Sequence, residues 1–334
     1  MKFDVVTIGS ATRDGFFEGV DFLSVEGKCF VANKGICLPL GAKIRVPKVH
    51  FLTGGSATNT AVSFARQGLK TAIICRVGDD ISGKTIIEEQ KDEKIDTQFI
   101  QKDYTVPTAY SVIFLTSSGE RTILSYKGCA ENLTVQEIPW KKIQTSWLCI
   151  GSLGKEKNIL KEIIQFAVSK NIKLAINPGW YELNWLKKNP KWIDKFEIFI
   201  CNQEEAAYFT DISYNKEKKI FKRLDALVKG IVVMTKGKNG VSVSNGKALW
   251  KAGIFNKKKK IMDATGAGDA FASGFISVFI KQKEMNEKII KEAIRVGNAN
   301  ACSVVEYIGT KPGILYKKDL KKSQFKNLKI QKYE

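Results

Sequence analysis

The residues best suited to chemistry run Asp263-Ala264-Thr265-Gly266-Ala267-Gly268-Asp269-Ala270-Phe271. Phe271, Phe275, Val278 and Phe279 recur at helical intervals after them, so Gly266 to Gly268 fall at a helix N-terminus. Unpaired backbone N–H groups there point outward and favour negative charge. Glycine lets the backbone approach a phosphate with no Cβ in the way, and Asp269 can take the proton of an incoming alcohol. Phosphoryl transfer to a hydroxyl uses this pairing: the N–H groups of Gly266, Ala267 and Gly268 stabilise the transferred charge while Asp269 acts as base. The plainer alternative is a glycine turn before a core helix, with Asp269 only stabilising the helix dipole. Nine residues in this order are far more restrictive than two glycines.

A site of this kind needs elements to hold it. Strand-like apolar runs at Phe3 to Gly9, Thr71 to Val77, Trp147 to Gly151, Lys173 to Asn177, Ile198 to Cys201, Ile231 to Thr235 and Gly240 to Ser244 alternate with helical stretches. The helices are expected at Thr58 to Gly68, Gly83 to Glu89, Asn158 to Lys170, Glu204 to Phe209, Lys218 to Leu227, Gly268 to Lys281 and Lys288 to Val305. That alternation points to parallel βαβ construction. Between Asp14 and His50, and from Pro107 to Tyr126, strand-like runs follow one another without helices, as in Thr108 to Thr116 and Arg121 to Tyr126.

The Asp263 to Phe271 string resembles the C-terminal signature of the ribokinase-like, or PfkB, family of carbohydrate and nucleoside kinases, which ends in Gly-Ala-Gly-Asp. Other segments agree in order: Val5-Val6-Thr7-Ile8-Gly9 leading to Asp14, Gly54-Gly55-Ser56-Ala57-Thr58-Asn59, Val77-Gly78-Asp79-Asp80 with Gly83, Asn202-Gln203-Glu204-Glu205, and Thr235-Lys236-Gly237-Lys238-Asn239-Gly240. The resemblance spans about residues 3 to 314. It implies an α/β fold, a three-layer α/β/α sandwich with a mainly parallel central sheet. One kinase domain over residues 1–314 would carry a small β-sheet lid from segments near 15–50 and 107–126, followed by a lysine-rich segment at 315–334. Two surface hairpins are the alternative to the lid.

The same resemblance implies the partners of the site. Asp14, Gly54, Gly55 and Asn59 would bind substrate hydroxyls. Asn202, Thr235, Gly237, Gly240 and Asn298 would bind ATP, and Glu205 would organise Mg2+ through water. Asp263 and Thr265 would hold a monovalent cation such as K+. Plainer roles exist for several: a helix N-terminal charge for Glu205, a hairpin turn for Thr235 to Gly240, an exposed helical side chain for Asn298. Ribokinases proper carry a substrate-binding Glu where this chain continues Ser152-Leu153-Gly154, which argues against ribose. Phe16, Phe17 and Phe30 are candidates either to stack a nucleobase or to form the lid's own core, and Arg121 either reaches a phosphorylated substrate or is a surface charge.

Gly78-Asp79-Asp80-Ile81-Ser82-Gly83-Lys84-Thr85 also satisfies the P-loop pattern. Two carboxylates in a loop that must cradle a polyanion oppose that reading. The formal charge of +20 suggests nucleic acid, but only seven of 54 basic residues are arginine, so no nucleic-acid partner is expected. Lysines concentrate at 216–222, 257–260 and 317–332 as solvated faces, with 257–260 placed to draw in ATP. Seven cysteines without Cys-x-x-Cys spacing, and no apolar run near the ~18 residues of a membrane span, indicate a reduced, cytoplasmic enzyme. The single histidine, His50, speaks against a His-rich metal cage or a Ser-His-Asp site and has a structural role. The expectation is therefore an ATP-dependent kinase of a sugar or small polyol, with a nucleoside kinase as the near alternative. A P-loop NTPase and a noncatalytic binding protein are the distant ones, and the lid's apolar faces suggest a homodimer.

Overall fold

The computed structural model describes residues 2–20, 23–27, 34–116, 121–156, 158–255, 261–282 and 284–333. Phe30 and the lysines at 257–260 lie outside these. Val5, Val6, Thr7 and Ile8 are all buried, as in a strand covered on both faces. They belong to β1 (Phe3–Ile8), which is followed by β2 (Thr12–Glu18), a hairpin of β3 (Leu23–Glu26) and β4 (Lys34–Cys37), β5 (Lys48–Gly54) and α1 (Ser56–Arg66). Next come β6 (Thr71–Ile74), β7 (Arg76–Gly78), α2 (Ile81–Asp92), β8 (Gln101–Asp103), β9 (Ala109–Leu115) and β10 (Arg121–Tyr126). The middle of the chain alternates: β11 (Thr145–Ile150), α3 (Ile159–Ser169), β12 (Lys173–Ile176), α4 (Trp180–Lys188), β13 (Ile198–Asn202), α5 (Gln203–Thr210), α6 (Glu217–Asp225) and β14 (Ile231–Thr235). The last elements are β15 (Val241–Ser244), β16 (Leu249–Ala252), α7 (Ala267–Phe279), α8 (Glu287–Val304) and β17 (Ile330–Tyr333).

The central sheet has nine strands in the order β17-β16-β15-β14-β13-β12-β11-β1-β6. From β6 to β14 every pairing is parallel, and β15, β16 and β17 add on antiparallel. Successive residues point to opposite faces. Val6, Ile8, Leu148 and Ile150 meet Ile163, Leu183, Phe209 and Leu224 of α3 to α6. Val5, Trp147 and Cys149 meet Phe271, Phe275 and Ile294 of α7 and α8 on the other side. The result is an α/β/α sandwich, as the alternating pattern implies.

A second sheet, β10-β9-β2-β5, forms the lid. Phe16, Ile113 and Leu115 make its own small core. Two adjacent strands of it feed the site: β2 carries Asp14, and the edge strand β5 runs through Gly54 into α1. His50 hydrogen-bonds to Glu18 across that pairing at 3.2 Å. Past residue 314 the lysine-rich tail buries Leu320 and Phe325 against Phe255, Val296 and Ala299, then pairs β17 with β16.

Three features differ from the expected elements. The run Thr71 to Val77 breaks at Cys75 into β6 and β7, because β7 leaves the main sheet to pair with β8. Arg76 fixes that departure by donating to Asp103 at 3.0 Å and Gln101 at 3.1 Å. Helix α4 follows Pro178-Gly179, turn residues that mask its start, and buries Leu183 and Leu186. Strands β8, β16 and β17 are short pairs whose sequences carry little alternation.

Candidate active site

Helix α7 begins at Gly266, whose φ of 77° places it in the left-handed region. A Cβ there would lie 2.7 Å from Thr310 Cβ, so glycine is required twice over. The preceding turn is braced by buried Asp263, whose Oδ1 accepts from Thr265 N at 2.9 Å and Thr265 Oγ1 at 2.6 Å. Its Oδ2 accepts from Gly309 N at 3.2 Å. Arg121, from lid strand β10, brings Nε to 3.9 Å of Asp263 Oδ1, so this arginine faces the site. At Gly268, by contrast, a Cβ would meet nothing within 4 Å, which leaves the space before the first turn open.

Asp269 sits on that first turn, half-buried. Asn59 of α1 donates Nδ2 to its Oδ2 at 2.8 Å, and the Thr310 hydroxyl donates to Asn59 Oδ1 at 2.8 Å. Burial pushes the Asp269 carboxyl up from its ordinary value, with the Asn59 bond opposing. Asp14 is pushed up to about 6, by burial first, with hydrogen bonding from Ser111 and the Lys311 charge acting downward. Gly54 touches it: a Cβ on Gly54 would lie 2.2 Å from Asp14 Oδ2. Gly55 is the N-cap of α1. Asn59 and Asp269 are thus bonded to each other, while Asp14 and Gly54 touch just before the start of the same helix α1.

A second group lies on the far side of the α7 N-terminus. Thr235, Gly237, Gly240, Ala267, Gly268 and Asn298 line one cavity of about 200 Å³ with Phe271 and Val305. Asn298 is buried, unlike the exposed helical residue of the plainer reading. Its Nδ2 donates to Gly253 O at 2.6 Å and its Oδ1 accepts from Phe255 N at 3.2 Å, which holds the cavity wall at Ile254. Asn202 ends β13 beside Thr235 at the end of β14. Asn202 and Glu205 form a capping box on α5: Glu205 N donates to Asn202 Oδ1, and Asn202 N to Glu205 Oε2, both at 2.8 Å. Burial raises the Glu205 carboxyl. Asn202 and Thr235, like Asp14 beyond β1, lie at or beyond the carboxyl ends of parallel strands, where open α/β sheets bind ligands.

The Gly78 to Thr85 segment, which enters α2 at Ile81, is closed on itself. Asp80 caps α2, its Oδ1 accepting from Gly83 N and Thr108 Oγ1 and its Oδ2 from Thr108 N, all at 2.7 Å. A Cβ on Gly83 would sit 2.2 Å from Gly78 O, and Lys84 points to solvent. The segment anchors the Pro107–Thr108 entry to the lid and leaves no cradle for phosphate. Phe16 is sealed in the lid core, and Phe17 packs on Phe114 with ring centroids 5.9 Å apart.

Sequence reading missed two buried charges. Lys311 reaches Glu89 and Thr53 beneath the lid. Glu182 of α4 is buried, its Oε1 accepting from Leu153 N at 2.9 Å while Oε2 has no hydrogen-bond partner. Burial pushes its carboxyl up to about 7. The signal available for Lys311 was a charge inside Ile308-Gly309-Thr310-Lys311-Pro312-Gly313-Ile314, a segment otherwise apolar or turn-forming.

The family model for pfkB family carbohydrate kinases matches residues 27–315. The chain belongs to this family. It is therefore an ATP-dependent carbohydrate kinase, the class to which an anion cradle followed by a carboxylate points. The ribokinase of Mus musculus is 27% identical over 274 residues, covering 80% of this chain and 82% of that one. The ATP-dependent 6-phosphofructokinase of Thermoanaerobacterium thermosaccharolyticum is 25% identical over 325 residues, 92% and 89% of the two chains. The structure of Arabidopsis thaliana ribokinase complexed with ribose and ATP superposes with a TM-score of 0.75 at 20% identity, covering 98% of this chain and all of that one. That likeness carries the fold. Among the described residues no helix is long and apolar enough to cross a membrane.

Proposed function

We propose that this kinase transfers the γ-phosphoryl group of ATP to a hydroxyl of a sugar or related small polyol, with Asp269 as base and the N–H groups of Gly266, Ala267 and Gly268 as the anion hole. One observation carries the reading: Asp269 hydrogen-bonds to Asn59 on one side, and its neighbours Ala267 and Gly268 line the Thr235–Asn298 cavity on the other. A hydroxyl held by Asp14, Gly54, Gly55 and Asn59 would lie next to the base, and a nucleotide held by Asn202, Thr235, Gly237, Gly240 and Asn298 would lead its phosphates to the α7 N-terminus.

Asn59 occupies Oδ2 of Asp269, so Oδ1 is the oxygen that meets the acceptor hydroxyl. A carboxylate made more basic by burial takes that proton better as the oxygen attacks. Asp14, with its carboxyl near 6, is mostly ionised at neutral pH and accepts from vicinal hydroxyls. Mg2+ supplies neutralisation of the phosphate charge when bound. Among the described residues no group of three or more His, Cys, Asp and Glu could cage a metal. The donor set suits an ion held mainly by phosphate and water, with Glu205 in the outer layer. Asp263 and Thr265 would give a monovalent cation such as K+ a buried partner, supported by the burial of that carboxylate.

Of the two described candidates for stacking a base, Phe16 is buried in the lid core and Phe17 packs on Phe114, which favours the sugar reading over a nucleoside. A homodimer through the lid draws support from exposed Phe51, Leu124 and Tyr126 on that sheet. A coupled ADP-release screen over pentoses, hexoses, sugar phosphates and nucleosides, with Mg2+ and K+, tests the reading. It expects release driven by a sugar or sugar phosphate; release driven by none of them overturns it.

A further inference from the structure

Three consecutive residues after α8 each hold a different part of the site. Gly309 N donates to Asp263 Oδ2 at 3.2 Å, and the Thr310 hydroxyl donates to Asn59 Oδ1 at 2.8 Å. Lys311 Nζ donates to Glu89 Oε2 at 2.7 Å and to the Thr53 hydroxyl, which in turn donates to Glu89 Oε2. Arg66 of α1 fixes the backbone here, its Nη1 donating to the carbonyls of Lys311 and Ile314 at 2.9 Å.

Lys311 is the unusual member because it is only 4% exposed. A buried ammonium carries a desolvation penalty, and apolar residues of similar volume often stabilise such a place better. Its partners come from two elements that must stay in register: Glu89 belongs to α2 of the body, and Thr53 to β5 of the lid. Thr53 immediately precedes Gly54, whose backbone lies against Asp14 Oδ2 so closely that no Cβ fits. Asp14 also feels the Lys311 charge, which opposes the upward effect of burial.

We propose that Lys311 is a positioning residue for the phosphoryl acceptor: together with Glu89, which neutralises it, it closes a triad on the Thr53 hydroxyl and so sets Gly54 against Asp14 in the hydroxyl-binding geometry. This rests on the proposed function and extends it to a residue that touches neither substrate nor ATP. The Asp269–Asn59 pair is held by Thr310, whose hydroxyl also lies 3.2 Å from Thr53 O, so Lys311 reaches that pair only indirectly, through Thr53, and it does not line the nucleotide cavity. Lys311 therefore acts on acceptor binding, with little effect on turnover.

The test compares Lys311→Met with the double variant Lys311→Met/Glu89→Gln, which leaves no unpaired carboxylate behind. D-ribose, D-fructose and D-fructose 6-phosphate head the acceptor panel, each assayed with MgATP. Lys311→Met is expected to raise the acceptor KM roughly 10- to 100-fold, the range for losing a hydrogen bond to a charged group, while kcat and the KM for ATP stay within about threefold. The double variant is expected to recover the lost melting temperature but keep the raised acceptor KM, and it carries the test if the single variant fails to fold. A double variant with the wild-type acceptor KM means that Lys311 only neutralises Glu89, which overturns the inference. Equal losses in the acceptor and ATP terms overturn it as well. Wild-type protein inert on every sugar of the screen overturns the proposed function, and this inference falls with it.

Discussion

Asn59 and Asp269, 210 positions apart, are joined by a 2.8 Å hydrogen bond from Nδ2 to Oδ2 that ties the first turns of α1 and α7 together. Thr310 fixes the amide by donating to Asn59 Oδ1, so Nδ2 must face the carboxylate. Removing the amide frees Asp269 to rotate. Asn59→Ala is expected to lower kcat by about 10²-fold, the cost of a catalytic group displaced by about an ångström. Steady-state ADP release checks it.

The two glycines of the cradle answer to different constraints. Gly266→Ala forces a side chain into a left-handed backbone and against Thr310, so it should lose roughly 1–3 kcal/mol of stability. Gly268→Ala meets no protein atom within 4 Å, so its melting temperature should stay at the wild-type value. Its added methyl stands where phosphate must approach, and kcat should fall at least roughly tenfold. Thermal melts and kinetics on the pair separate a glycine kept for the fold from one kept for the ligand.

Lys84 and Asp80 test the P-loop alternative. Lys84→Ala should leave ATP affinity unchanged, because the side chain is exposed on the first turn of α2, whose N-terminus is already filled by the Asp80 carboxylate. Asp80→Ala removes the cap of α2 and the tie to Thr108, and should destabilise by about 1–2 kcal/mol. Calorimetric titration with ATP and chemical denaturation read the two effects.

Much of this was legible because it is local. The glycine turn, the carboxylate one residue later and the apolar helical repeat of α7 lie within one short stretch, and the capping box of Asn202 and Glu205 is likewise a short-range pattern. Pairings across the chain were not legible: Asn59 and Asp269 were each singled out, but nothing local says that they touch. Lys311 was hidden among the lysines, since burial of a single charge leaves no mark on composition. Glu182 was hidden for the same reason, on a helix whose Pro178-Gly179 start reads as a turn.

Glu182 predicts a pH dependence of stability. Its carboxyl is raised to about 7 in the fold from an ordinary 4.5, so the folded state binds that proton more tightly. The stability it contributes is full below about 4.5 and is lost as pH rises through about 7, a swing of about 3 kcal/mol at most. Asp14, raised to about 6, acts in the same direction. The difference between wild type and Glu182→Gln isolates the first group: the variant's melting temperature should decline less from pH 5 to pH 8, and a parallel decline contradicts the assignment.

The most direct measurement is turnover by Asp269→Asn, set beside its ATP affinity by calorimetry. Asparagine keeps an oxygen for Asn59 Nδ2 and removes only the proton acceptor. With Asp269 as base, kcat falls by roughly 10²–10⁴-fold while ATP affinity and melting temperature are preserved. Turnover within about threefold of wild type would leave Asp269 with only its charge at the helix terminus and contradict the mechanism.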